Sequence, residues 1–442
     1  MTDNRPTIAI LGASGLIGAA LAEECARKAF AVVAIARRFT PVQAALFGGN
    51  GVVRPITELS AAELGDMLRA CAVDIVVNCL GVLQDGPRGS TVEVHQGFVA
   101  RLVEAIGMQA KPMLLMHVSV PGDDEDDTTA FSRTKRAGER LVAASGLPFV
   151  ILRPGFVVAP AAYGGSALVR ALAALPFALP DKFGTRPFAA TAMGDIARTV
   201  ILVARRWAKG ERDWAATWDL CEREPTTVAA AVEAFKSRFG GPAPRLRVPG
   251  WLLWTGARAG DLVSRLGWSP PVRTTALREM LRGVEGQPET WIAATGFAPA
   301  SLAEALRQVP TTVQERWFAR LFLLKPLILA TLALFWIVSG LIALTVAFRP
   351  ASAILSAHGF APSLADAVTV ASSLADIGVG LAVAARRTCR PGLVAGIAVS
   401  VFYMTGAAVL TPEMWIEPLG ALVKTGPAIV LMVVALAILE DR

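Results

Sequence analysis

Three glycines at fixed spacing carry the most specific chemistry in this 442-residue chain: Gly12-Ala13-Ser14-Gly15-Leu16-Ile17-Gly18, directly after an apolar run at residues 7–11. A GxxGxxG in that position builds a phosphate cradle. The first glycine permits a tight turn, the second lets the backbone approach a pyrophosphate, and the third lets the following helix pack closely, with its first N–H groups facing the anion. Ser14, Leu16 and Ile17, the other residues of the turn, are expected to join the glycines in binding the cofactor. Roughly 20 residues further on, at the end of the second strand, an acidic side chain would take the ribose 2′-hydroxyl of NAD. The chain has Ala36-Arg37-Arg38 there instead. Arg37 or Arg38 can pair with a 2′-phosphate through charge-assisted, bidentate hydrogen bonds, so NADP(H) is expected in preference to NAD(H). Asn78-Cys79-Leu80-Gly81 ends a later strand, and Leu80 and Gly81 are expected to line the adenine-ribose side.

The elements that must position this turn are short β-branched runs at residues 7–11, 31–36, 73–78, 112–120 and 149–152, separated by helical stretches at 18–29 and 93–106. Alternation of that kind reads as βαβ units with a parallel sheet. The expected fold class is α/β, a Rossmann-like doubly wound parallel sheet with a small second lobe, followed by a four-helix transmembrane bundle. After Arg153 the pattern loosens into Gly/Pro-rich loops, helices near 193–207 and 227–239, and a Trp-rich stretch at 248–284. The boundaries expected are 1–305 for the nucleotide-binding domain, with the small lobe mainly in 154–305, a linker at 306–325 and a membrane domain at 326–442.

Composition supports the membrane end. The chain is 54% hydrophobic and only 18% charged, with a mean hydropathy of +0.50, too apolar for an ordinary soluble enzyme and the opposite of a disordered chain. Four apolar stretches at about 326–347, 364–385, 392–410 and 419–439 are long enough to cross roughly 30 Å of hydrocarbon. Arg316, Arg320 and Lys325 precede the first, and Arg386, Arg387 and Arg390 separate the second from the third. Positive charge in those short loops places both termini in the cytoplasm of a multi-pass protein of the inner membrane. The apolar segment at 8–22 is read as strand, turn and helix rather than a secretory signal, because only Arg5 precedes it.

The net charge of +7 is spread through the chain without a basic run interleaved with aromatics, so no nucleic-acid partner is expected. Five dispersed cysteines and three histidines contain no CxxC, so neither a metal site nor a disulfide framework is expected.

These landmarks resemble the extended and atypical short-chain dehydrogenase/reductase superfamily. The resemblance runs over roughly residues 5–305, through Gly12, Gly15 and Gly18, then His117-Val118-Ser119, Phe131 to Lys135, and Leu152-Arg153-Pro154-Gly155. Within it the chain looks most like NAD(P)H-binding proteins similar to the nucleotide-binding accessory subunit of respiratory complex I. The C-terminal region resembles a DoxX-like domain, on the cue Glu417-Pro418-Leu419-Gly420 followed by Lys424. The superfamily resemblance implies a catalytic serine at Ser119 and a lysine at Lys135 that also binds the nicotinamide ribose, with Pro154 and Gly155 bounding the nicotinamide pocket. The tyrosine of that triad falls on Phe131, which cannot exchange a proton. Ser132 is a poor substitute, since one helical residue turns the side chain by about 100°. The expectation is a membrane-anchored, NADP(H)-binding oxidoreductase with a lipophilic or quinone-like partner. The alternative is a non-catalytic nucleotide-binding scaffold or redox sensor of a membrane complex.

Two further features invite expectations. Asp376 falls mid-span, with Ser372, Ser373, Ser400, Tyr403, Thr405 and Lys424 as candidate partners, and a hydrogen-bonded structural carboxyl is the favoured reading. Trp251, Trp254 and Trp268, with Arg258 and Arg265 between them, are expected in the core of the small lobe, with the membrane surface as the alternative. The acidic run 123–127 is expected as a solvated loop.

Overall fold

The computed structural model describes residues 5–86, 89–416, 420 and 422–439. The chain forms two compact units, Met1–Asp261 with Pro271–Ala319, and Leu262–Pro270 with Arg320–Arg442.

The first unit is built on seven strands: β1 Thr7–Leu11, β2 Ala31–Ala36, β3 Gly51–Val53, β4 Ile75–Asn78, β5 Leu114–Val118, β6 Phe149–Pro154 and β7 Ala215–Leu220. They pair in parallel in the order β7-β6-β5-β4-β1-β2-β3. The order reverses between β1 and β4, which opens a crevice at their C-terminal ends. Both faces of the sheet are covered, so the strands are apolar on both sides. Ile8, Ile10, Val32, Ala34, Ile75, Val77, Leu114 and Met116 pack with helices α1 (Leu16–Arg27) and α5 (Met193–Ala208). The alternate residues Ala9, Leu11, Ile35, Val76 and Leu115 pack with α2 (Ala61–Ala70) and α3 (Phe98–Gly107). A π-turn at Glu93–Gly97 leads into α3. It meets α4 (Ala130–Ala143) at Gly138, where a Cβ would lie 2.3 Å from His95 O. The short strand β3 and the edge strand β7 carry no apolar alternation long enough to be expected from the sequence.

The small lobe has its own core of Val158, Val169, Phe188, Val228, Phe235, Phe239, Leu302 and Leu306. The Trp-rich stretch does not form that core. Trp251 is 67% exposed, Trp254 is half-buried with its ring 6.5 Å from Phe183, and Trp268 belongs to the second unit.

In the second unit α6 (Leu324–Leu344), α8 (Pro362–Ala384) and α9 (Cys389–Leu410) are long and apolar enough to cross a membrane. The amphipathic helix α7 (Phe348–Ala357) lies between the first two, and Ser352 Oγ donates to Asp366 Oδ1 at 2.5 Å. The fourth expected span corresponds, among the described residues, to α10 (Thr425–Leu439), an apolar helix of 15 described residues, ~22 Å long. Its expected beginning and the Glu417-Pro418-Leu419 cue fall on residues outside those described. α6 and α8 approach closely at two glycines. A Cβ on Gly340 would lie 2.5 Å from Ser373 O, and one on Gly380 would lie 2.8 Å from Ala333 O. Small residues are how apolar helices gain contact where no hydrophobic drive separates lipid from protein.

Candidate nucleotide site

The glycine turn joins β1 to α1 at the crevice. Gly12 has φ +84°, which favours glycine, and a Cβ there would sit 3.1 Å from Leu80 Cδ2 and 3.3 Å from the Cys79 carbonyl carbon. Gly15 N donates to Gly12 O at 2.9 Å and closes the turn. A Cβ on Gly18 would lie 2.4 Å from Gly12 O, so the first turn of α1 packs directly on the loop. Gly15 is the N-cap and supplies no side-chain acceptor, which leaves the first N–H groups of α1, starting at Leu16 and Ile17, to face an anion. Gln43 Nε2 donates to Ser14 O at 3.3 Å and braces the turn from a neighbouring capped helix, Pro41–Phe47. Arg37 and Arg38 are exposed immediately beyond β2.

The ends of β4 and β5 converge on α4 at Lys135. Its Nζ donates to Leu80 O and Val118 O, both at 2.9 Å, and a Cβ on Gly81 would meet Nζ at 3.3 Å. Lys135 is only 5% exposed, and burial pulls its pKa down from 10.5 to about 8, partly offset by Cys79 and Glu139.

Two buried histidines sit against it, neither anticipated as a site residue. Val82 N donates to His95 Nε2 at 3.1 Å, so the proton is on Nδ1, which donates to Thr134 Oγ1 at 2.8 Å; that hydroxyl in turn donates to Ala130 O at 2.7 Å. Leu80 N donates to Asn78 Oδ1 at 3.1 Å, which orients the amide so that Asn78 Nδ2 donates to His117 Nδ1 at 3.1 Å. Burial first, then the Lys135 charge, holds His95 down to about 2 and His117 down to about 3. Both are neutral imidazoles that act as fixed hydrogen-bonding struts.

Ser119 follows the carbonyl that holds Lys135. It is 5% exposed, and its Oγ has no hydrogen-bond partner among the described residues. Phe131 lies edge-on to His95 with ring centroids 5.7 Å apart. Ser132 is fully buried and exchanges hydrogen bonds with Thr129 in the cap of α4, so its hydroxyl does not replace a tyrosine. At the end of β6, Gly155 N donates to Thr191 Oγ1 at 2.8 Å, and a Cβ on Gly155 would lie 2.3 Å from Ala189 O. Glycine is required there because two backbones cross. The structure therefore gathers Gly12, Leu80, Gly81 and Lys135 at the switch point through shared contacts, with Ser119 next in the chain to Val118, whose carbonyl Lys135 holds.

The acidic run is not simply solvated. Asp127 is buried and pairs with Arg136 and Arg282, both at 3.3 Å, while Glu139 takes Arg136 at 3.2 Å and Arg153 at 2.5 Å. This network ties α4 to β6 beside a cavity of about 440 Å³ lined by Gly122, Asp123, Arg136 and Arg153. In the membrane unit, Tyr403 OH donates to Asp376 Oδ1 at 2.9 Å, which selects one partner from the six considered. Among the described residues, Trp336 Nε1 and Ser400 Oγ are buried in the same unit without a hydrogen-bond partner.

Residues 8–175 match the model of the NAD dependent epimerase/dehydratase family, and residues 333–433 match that of the DoxX-like family. No curated protein matches the chain. Among solved structures, it is similar to UDP-glucuronic acid 4-epimerase from Bacillus cereus in complex with UDP-glucuronic acid and NAD, at 15% identity and a TM-score of 0.52, over 72% of this chain and 99% of that one. It is also similar to WbmG from Bordetella bronchiseptica in complex with NAD and UDP, at 14% and 0.51 over 69% and 93% of the two chains. A third is Pal from Bacillus thuringiensis, at 13% and 0.53 over 71% and 99%. At these identities the likeness shows the fold.

Proposed function

We propose that this chain, which joins an N-terminal domain of the epimerase/dehydratase type to a C-terminal DoxX-like membrane domain, is a membrane-held oxidoreductase that binds NADP(H) and acts on a lipophilic, quinone-like partner. The observation that carries it is the convergence of the glycine turn, Ser119 and Lys135 on one crevice. The residues fit a dinucleotide. Gly12 and Gly15 keep the turn free of side chains and Gly18 lets α1 pack on it, which leaves the first N–H groups of α1 for a pyrophosphate, and Ser119 presents a buried hydroxyl without a partner among the described residues. When bound, the nicotinamide supplies a hydride. Lys135 holds ribose hydroxyls, while Ser119 orients the acceptor's oxygen. Phe131 holds no proton, so the acceptor takes its proton from water, and acceptors that need no protein acid are favoured. Arg37 and Arg38, with no acid at the end of β2, support NADP(H) over NAD(H).

The full chain in nanodiscs, titrated with NADPH and NADH, is expected to prefer NADPH, and Arg37→Gln with Arg38→Gln to lose that preference. Oxidation of NADPH by a short-chain quinone supports the reading. If no quinone or lipid carbonyl oxidises NADPH, the oxidoreductase role fails.

Phe131 favours a second reading, a nucleotide-binding scaffold or redox sensor for a membrane complex. As a scaffold the chain retains its nucleotide for hours, whereas a sensor exchanges it within seconds, and under either Phe131→Tyr gains carbonyl reductase activity absent from the native chain. The inner membrane, with both termini cytoplasmic, is the placement that gives the site cellular NADP(H).

A further inference from the structure

The segment Leu262–Pro270 lies in sequence well before the first span, yet it packs within the membrane unit. Trp268 Nε1 donates to Ala384 O, the last residue of α8, at 2.7 Å. Arg386 N donates to Leu266 O at 3.0 Å, and the Arg386 guanidinium lies 5.3 Å from the centre of the Trp268 ring. Lys325 Nζ and Arg386 Nη2 both reach Leu439 O, at 3.4 and 3.5 Å. The start of α6, the end of α8 and the end of α10 therefore share one level, and the segment is fastened there.

At that level the segment leaves apolar side chains uncovered: Leu262 is 61% exposed, Val263 39% and Leu266 46%. Residues 262–270, 320–330 and 384–392 contain Arg265, Arg320, Lys325, Arg386, Arg387 and Arg390 and no Asp or Glu. Glu440 and Asp441 follow α10 and lie outside the described residues. Exposed leucines continuous with lipid-facing helices, a tryptophan at the helix end and basic side chains around them match the boundary between acyl chains and headgroups.

We infer that Leu262–Pro270 and the basic end of the bundle form a binding surface for anionic phospholipid, with Leu262, Val263 and Leu266 among the upper acyl carbons and Arg265 and Arg387 on the headgroups. Each arginine near an anionic surface contributes about 1 kcal/mol, or about a fivefold preference for anionic over zwitterionic lipid.

The test uses the full chain in nanodiscs of phosphatidylcholine, with or without phosphatidylglycerol. A Leu266→Cys variant in a Cys71→Ser, Cys79→Ser background is labelled with a polarity-sensitive fluorophore. Quenching by lipids spin-labelled near the headgroup, with little quenching by aqueous iodide, is expected. Strong iodide quenching without lipid quenching overturns the insertion. Arg265→Gln with Arg387→Gln is expected to reduce the phosphatidylglycerol retained in native mass spectrometry, while the melting temperature in detergent is unchanged, which shows the variant is folded. Undiminished retention in that folded variant overturns the headgroup assignment.

Discussion

At the end of β1, Gly18 has no room for a side chain because a Cβ would lie 2.4 Å from Gly12 O, six residues back in its own chain. In the membrane unit Gly340 has no room because a Cβ would lie 2.5 Å from Ser373 O, on a different helix. The first glycine lets a loop present its backbone to a ligand; the second lets two apolar helices touch. Polar groups divide in the same way. In the first unit Lys135, His95 and Asn78 are each fastened to backbone groups at strand ends. In the second, Asp376 takes a phenol from α9, and among the described residues a tryptophan N–H and a serine hydroxyl are without partners. Tight hydrogen bonding fastens the crevice at the C-terminal ends of the central strands, while close backbone contact holds the bundle.

The largest expected effect is at the turn. Gly18→Val forces backbone apart where nothing flexible can yield, and nucleotide affinity measured by calorimetry should fall on the order of 100-fold or more. The thermal midpoint of the membrane unit should not move with it. Gly340→Leu makes the converse break: α6 and α8 must separate, at a cost of about 1–3 kcal/mol of overpacking, while nucleotide affinity stays at the native value. If each variant disturbs both readouts equally, the two uses of glycine are not separable.

Lys135→Met sharpens the polar half of the comparison through its pH dependence. Between pH 8 and 10.5 the unfolded chain still binds the proton that folded Lys135, with its pKa held down to about 8, has released. Native stability relative to Lys135→Met should therefore rise with pH through that window and stay level below pH 8, as read from denaturant midpoints at each pH. The smallest effect belongs to Tyr403→Phe. Hydrogen bonds within membranes average about 0.6 kcal/mol by double-mutant cycles, so a loss of that order in a Tyr403→Phe, Asp376→Asn cycle is expected.

Much of the first unit is legible in the chain because its signals are local. The glycine spacing, the β-branched run before it and the helix after it lie within about 25 residues, so turn, strand and helix are read together. Lys135 and Ser119 become legible only through family resemblance, since neither has a local pattern of its own. His95 and His117 carry no signal, because their partners Thr134 and Asn78 each lie 39 residues away. The run at 123–127 misleads for a related reason. Its charge pattern suits water, yet Arg136 and Arg282 reach Asp127 from α4 and from the small lobe. The placement of Trp268 escapes composition because apolar content reports that a segment avoids water, not which element covers it.

The sequence by itself determined the alternation of strands and helices, the phosphate-type turn, the absence of a tyrosine at residue 131 and the existence of long apolar helices. Each of these is set by side chains acting on their own backbone or within one turn of it. Only the tertiary structure decided that Lys135 is held between Leu80 O and Val118 O, that Asp127 is sealed into an ion network, that Asp376 takes Tyr403, and that Leu262–Pro270 belongs with the membrane unit. The physical reason is that periodicity specifies which face of an element is apolar or polar, while the partner of that face is chosen by packing across distances in sequence that no local pattern records.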